Sequence, residues 1–161
     1  MFRAGIITVS DACFAGEREE KSGALAREML AKAGYSIALF EIFPDERAQV
    51  AKRLAQICDG NEAELIVTTG GTGLSPRDWT PEATLDIAER RVPGISEAMR
   101  AYSMTKTSRA MFSRGVSVLR KQTLIVNLPG SPKAVQEYLE CVLPPLKHGL
   151  EVMTGRAWNA Q

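Results

Sequence analysis

Gly70, Gly71 and Gly73 surround Thr72 directly after an apolar run ending at Thr69, and Asp78 follows shortly after. Glycines at this density let a backbone turn sharply and present bare N–H groups where side chains would block close approach. Phosphate is the natural guest of such a loop. A carboxylate beside it would repel phosphate unless a divalent cation sits between them, so the segment reads as a site for a nucleotide with magnesium. Two better-known phosphate loops do not fit. A P-loop needs Gly-Lys followed by Ser or Thr, whereas Gly73 is followed by Leu74, Ser75 and Pro76; a dinucleotide fingerprint needs a third glycine where Pro76 stands. On glycine content alone, a tight turn with no ligand is an equal reading.

The elements that must position these residues alternate between strand and helix, which argues α/β. Residues 4 to 9 form an apolar strand, and Leu25, Met29 and Leu30 recur at helical intervals over 22 to 32 before Gly34. A strand over 35 to 43 ends at Pro44, and Val50, Leu54 and Ile57 share one face of a helix over 46 to 58. Strand 64 to 69 leads into the glycine loop. Thr80 is expected to cap the next helix with Pro81 in its first turn, and Pro93-Gly94 separates that helix from another running to Met104. Residues 116 to 120 and 123 to 128 are β-rich; the second run enters Pro129-Gly130-Ser131-Pro132 and a helix from Lys133. The stretch from Thr105 to Gly115 is less regular. The expected fold is one three-layer domain over 1–161: a mostly parallel sheet with helices on both faces.

In such a sheet, ligands bind beyond the carboxyl ends of the strands where strand order reverses. Ser10 and Asp11, then Asp45, then the glycine loop with Asp78, then Pro129, Gly130 and Ser131 all fall at strand ends. Each has a structural reading as well. Ser10 and Asp11 serve as turn formers, and for Asp45 alone a helix cap outweighs a ligand role. Taken together, two acids, a glycine cradle and a Pro-Gly loop exceed what turns require.

The composition excludes several classes. The chain has 161 residues, 45% hydrophobic, with interspersed charges summing to +1. That gives enough chain for a core but neither the basic footprint of a nucleic-acid binder nor a membrane class. Cys13, Cys58 and Cys141 are far apart, and His148 is the only histidine, which argues against structural zinc. The start, Met1-Phe2-Arg3-Ala4-Gly5, has no secretory pattern, so a cytoplasmic protein with reduced thiols is expected.

Thr69 to Gly73, Arg77-Asp78 and Thr80 to Thr84 together resemble the signature of the MogA/MoaB family of molybdenum cofactor biosynthesis proteins, which includes the gephyrin and Cnx1 G domains. The likeness extends to Thr8 through Asp11, Pro44-Asp45-Glu46, Pro93-Gly94, Ser113-Arg114 and Leu124 to Pro132. Two positions depart from the pattern: Glu20 stands where the family commonly has aspartate, and Trp79 where a small aliphatic residue follows Asp78. The resemblance implies a molybdopterin-binding fold and molybdopterin adenylyltransferase activity, joining ATP to the terminal phosphate of molybdopterin. It implies Asp45 and Asp78 as the functional carboxylates. Asp45 would hold Mg2+, and Asp78 would place the pterin or share the metal. Gly70, Gly71, Thr72 and Gly73 would cradle phosphate; Ser10 and Asp11 would contact substrate or nucleotide; Ser113, Pro129, Gly130 and Ser131 would complete the wall. Arg77 reads as positive charge for the site or as a solvated arginine. A homotrimer or hexamer and a transient contact with a downstream metal-insertion protein are implied too. The alternatives are a non-catalytic molybdopterin-binding protein and an unrelated magnesium-dependent nucleotide hydrolase.

Overall fold

The fold is available as a computed structural model that describes residues 1–158. Its centre is a six-stranded sheet with strand order β2-β1-β3-β6-β5-β4. The strands are β1 (Arg3–Val9), β2 (Ser36–Phe43), β3 (Leu65–Thr69), β4 (Arg90–Arg91), β5 (Ser117–Arg120) and β6 (Thr123–Leu128). The β2-β1-β3-β6 half is parallel, and β5 and β4 add antiparallel pairs. The mostly parallel sheet expected from the sequence is therefore present, extended by an antiparallel edge.

Side-chain alternation divides the interior in two. Ile6, Val67 and Val126 are register partners across β1, β3 and β6 and belong to one apolar cluster. Against it pack Leu30 of α2 (Ser22–Lys32), Met99 of α5 (Pro93–Met104), and Val135 and Leu139 of α6 (Pro132–Met153). Ile7, Ile66 and Ile125 point to the opposite face, where Leu54 and Ile57 of α3 (Arg47–Asp59) and Ala83 of α4 (Thr80–Asp86) cover them. Helices thus lie on both faces, because strands buried on both sides need two covering layers.

Some local expectations are corrected. Thr80 is the first residue of α4 and not its cap: Trp79 holds the cap position, and the Thr80 hydroxyl is buried without a hydrogen-bond partner among the described residues. Strand β4 was not legible, since two exposed arginines carry no burial pattern. Nor was α1 (Asp11–Phe14), a single turn closed by Ser10 Oγ accepting from the Cys13 N–H. The irregular stretch holds a short 3-10 segment, Ser108–Phe112.

A buried carboxamide joins the layers beneath the strand ends. Asn127 Nδ2 donates to Thr68 Oγ1 and Thr84 Oγ1, each at 3.0 Å, and its Oδ1 accepts from the Val116 N–H at 3.1 Å. A buried network of this kind fixes one arrangement, because leaving a member unpaired costs the desolvation of that group. It holds α4 at a set position under the glycine loop.

Candidate active site

The strand order reverses between β1 and β3, since the chain leaves β1 for β2 on one side and returns to β3 on the other. At this point two loops touch. Gly70 has φ +91°, and a Cβ there would stand 2.3 Å from the Val9 carbonyl oxygen; Gly71 has φ +70°, and its Cβ would stand 2.1 Å from Thr80 Oγ1. Only glycine combines that backbone sign with that closeness. The Thr80 N–H donates to the Gly71 carbonyl, and Arg114 secures the far side of the loop. Its Nε donates to the Gly73 carbonyl at 2.8 Å and its Nη2 to the Asp78 carbonyl at 2.6 Å, while Nη1 pairs with Glu82.

Two adjoining cavities, about 590 and 560 Å3, open around this loop. Ser10, Asp45 and Gly70 line the first; Thr72, Gly73, Ser113 and Pro129 line the second. Gly71, Asp78, Gly130 and Ser131 are shared by both. The residues singled out in the sequence are thus distributed over two chambers with a common wall. Asp11 lines neither. Its Oδ1 accepts from the Asp45 N–H, while the Asp11 N–H donates to Asp45 Oδ2, each at 2.9 Å. Arg77 grips the Asp11 carboxylate with two bonds of 3.0 Å and reaches Glu46 with a third.

The reciprocal pair explains why Asp45 is not a helix cap: its carboxylate faces the neighbouring strand end, and Glu46 holds the cap position of α3. Burial pushes the Asp45 carboxyl above its ordinary range, and the charges of Asp11 and Asp78 push it further. Arg77 holds Asp11 below the ordinary range, helped by the Asp45 N–H. Asp78 Oδ2 accepts from the Ser75 N–H at 3.0 Å, which turns the carboxylate back toward the loop. Trp79 lines neither large cavity; its indole N–H donates to the Pro76 carbonyl, and its ring lies 5.5 Å from the Arg47 guanidinium.

Further residues, none of them among the expected site residues, complete the walls. Ser22 Oγ donates to the Gly130 carbonyl, tying the start of α2 to the loop after β6. Glu20 accepts from Thr8 Oγ1 and from the Gly23 and Ala24 N–H groups, so the carboxylate at the departure from the family pattern holds the start of α2. The second cavity is also walled by Lys106, Arg109, Lys133 and Glu137. Glu137 adjoins the apolar stripe of α6, and a carboxylate in that place was the one signal available.

Asp45 and Asp78 both line the first cavity beside this loop. This donor set is oxygen only. No group of three or more His, Cys, Asp or Glu side chains that could hold a metal occurs among the described residues. The arrangement fits an ion held by one or two carboxylates and substrate phosphates, which is the habit of magnesium.

Residues 5–148 match the family described as "Probable molybdopterin binding domain". The chain is 38% identical over 153 residues to a Helicobacter pylori protein named molybdopterin adenylyltransferase, covering 94% of this chain and 87% of that one. It is 41% identical over 142 residues to an Escherichia coli protein of the same name, covering 87% and 73%. A crystal structure of the molybdopterin biosynthesis enzyme MoaB from Thermus thermophilus superposes with a TM-score of 0.91 at 50% identity, over 96% of this chain and 98% of that one.

Proposed function

Because the chain belongs to the MogA/MoaB family of molybdopterin-binding domains, we propose that it is a molybdopterin adenylyltransferase that consumes ATP and releases pyrophosphate. The observation that carries the reading is the pair of cavities meeting at one glycine loop with a carboxylate on either flank. A transfer between two phosphate-bearing substrates needs two chambers whose phosphate ends share one wall. The reaction joins a terminal phosphate oxygen of molybdopterin to the α-phosphorus of ATP while the bond from that phosphorus to the β-phosphate oxygen breaks. The attacking phosphate is already anionic at neutral pH, so no side chain must remove a proton. What falls to the protein is alignment and charge.

In this reading the N–H groups of Gly71, Thr72 and Gly73 hold phosphate, Gly70 supplies the turn while its own N–H donates to the Leu128 carbonyl, and Ser131 and Gly130 close the wall between the two substrates. Ser10 and Ser113 contact substrate from opposite chambers. Asp11 acts through Asp45, whose backbone and carboxylate it holds, rather than touching substrate. Asp45 would hold Mg2+, with Asp78 placing the pterin phosphate or sharing the ion; when bound, magnesium supplies positive charge between carboxylates and phosphates. Arg77 restrains Asp11 and Glu46 from outside.

The assembly is read as a homotrimer or hexamer that hands its product to a metal-insertion protein. Its place is the cytoplasm, where ATP is drawn and where three free cysteines stay reduced. No helix among the described residues is long and apolar enough to cross a membrane. The test is formation of adenylyl-pterin by purified protein given molybdopterin, ATP and magnesium, beside a reaction without pterin. Product that needs both pterin and magnesium is expected. Tight pterin binding without product would make this a binding protein, and equal nucleotide consumption without pterin would make it a hydrolase.

A further inference from the structure

The second cavity contains a carboxylate that the transfer does not use. Glu137 is 7% exposed and lies on the cavity wall. Its Oε2 accepts from Ser103 Oγ at 3.2 Å, and its Oε1 accepts no hydrogen bond among the described residues. A buried carboxylate is costly unless donors meet it, and a single hydroxyl leaves most of its lone pairs open. Beside it on the same wall, Tyr138 is buried and its hydroxyl has no partner among the described residues. Lys106, Arg109 and Lys133 border the cavity, and none is in an ion pair among the described residues. The chamber therefore suits a ligand with an anionic group at one end and adjacent N–H donors at the other.

A 2-amino-4-oxopyrimidine ring has that edge. Its N3–H and 2-amino group point the same way and match the two oxygens of a carboxylate. Adenine offers one amino donor beside an acceptor nitrogen, which would set a lone pair against Glu137. Resting on the functional reading above, we propose that Glu137 is the specificity residue that reads the aminopyrimidine edge of the pterin, which makes the second cavity the pterin's chamber and leaves the first to ATP.

The test compares wild type with Glu137→Gln in titrations with molybdopterin and with ATP, and in competition by pterin and by lumazine, which carries a carbonyl in place of the 2-amino group. Wild type should prefer pterin to lumazine. Glu137→Gln should bind molybdopterin about 10- to 100-fold more weakly and lose or reverse that preference, since glutamine donates to the carbonyl of lumazine. Its ATP affinity should be unchanged. A purely structural Glu137 would not move the ring preference. Unaltered molybdopterin affinity with unaltered preference overturns the proposal. Should Glu137→Gln melt well below wild type, Glu137→Asp replaces it: the shortened carboxylate should lose molybdopterin affinity, and retention of it would equally overturn the proposal. The two readings fail separately. A wild type that turns over beside an unaffected variant removes only the role of Glu137, whereas a wild type that neither binds molybdopterin nor forms product removes the functional reading and this inference together.

Discussion

At the scale of single residues, Asp45 carries the conflict between stability and activity. Its carboxyl is held above the ordinary carboxylate range by burial and by two neighbouring acids. For such a group the sign is fixed: below its unfolded pKa it is protonated in both states and costs nothing, and as pH rises through its folded pKa the folded state loses stability. At neutral pH the charge is a burden on the fold. Asp45→Asn should therefore raise Tm, by on the order of 2 °C, while abolishing adenylyl transfer; Asp78→Asn should abolish transfer with the fold retained. Full activity in both variants would mean that the site lies elsewhere. On the proposed role Asp45 works as an anion, so the acid limb of kcat/KM should lie above the ordinary aspartate pKa of about 3.9. Arg77 opposes the upward shift of Asp45, so Arg77→Met should move that limb to higher pH. A limb that stays in place would mean that Asp45 does not control the rate.

At the scale of elements, the glycine loop depends on backbone sign and on what lies below it. Gly71→Ala places a Cβ 2.1 Å from Thr80 Oγ1 at φ +70° and should cost more than about 2 kcal/mol in urea unfolding. Gly130→Ala meets only an ordinary contact at 3.4 Å and should stay within about 0.5 kcal/mol of wild type; equal losses at both would show that crowding under Gly71 does not matter. The parallel strands, the helix faces and the glycine loop were legible because each leaves a pattern within a dozen residues. The arrangement of Asp45 and Asp11 was not. Their reciprocal bonds join residues 34 apart, and each aspartate alone reads as a turn or cap. The division into two chambers was also hidden, because Lys106, Arg109 and Glu137 come together only when α5 and α6 pack side by side. Thr80 misled for a related reason: a threonine before proline at a helix start signals a cap, but here its hydroxyl faces the turn of Gly71.

At the scale of the whole molecule, Phe14, Met111, Phe112 and Trp158 are each more than half exposed, apolar surface that an assembly of copies would have available to cover. Light scattering should give a mass of three or six times 17.6 kDa; a monomer at micromolar concentration would remove the assembly from the proposed reading. The shared wall of Gly71, Asp78, Gly130 and Ser131 has one more result. On the proposed reading two substrates enter through separate chambers, but the adenylylated product is a single molecule spanning both. It collects the holding energy of two compartments while losing translational freedom only once, and letting go of one end leaves the other tethered. Departure would then be the slow event of the cycle, and such a protein would retain a labile compound until an acceptor draws it away rather than spill it into solvent.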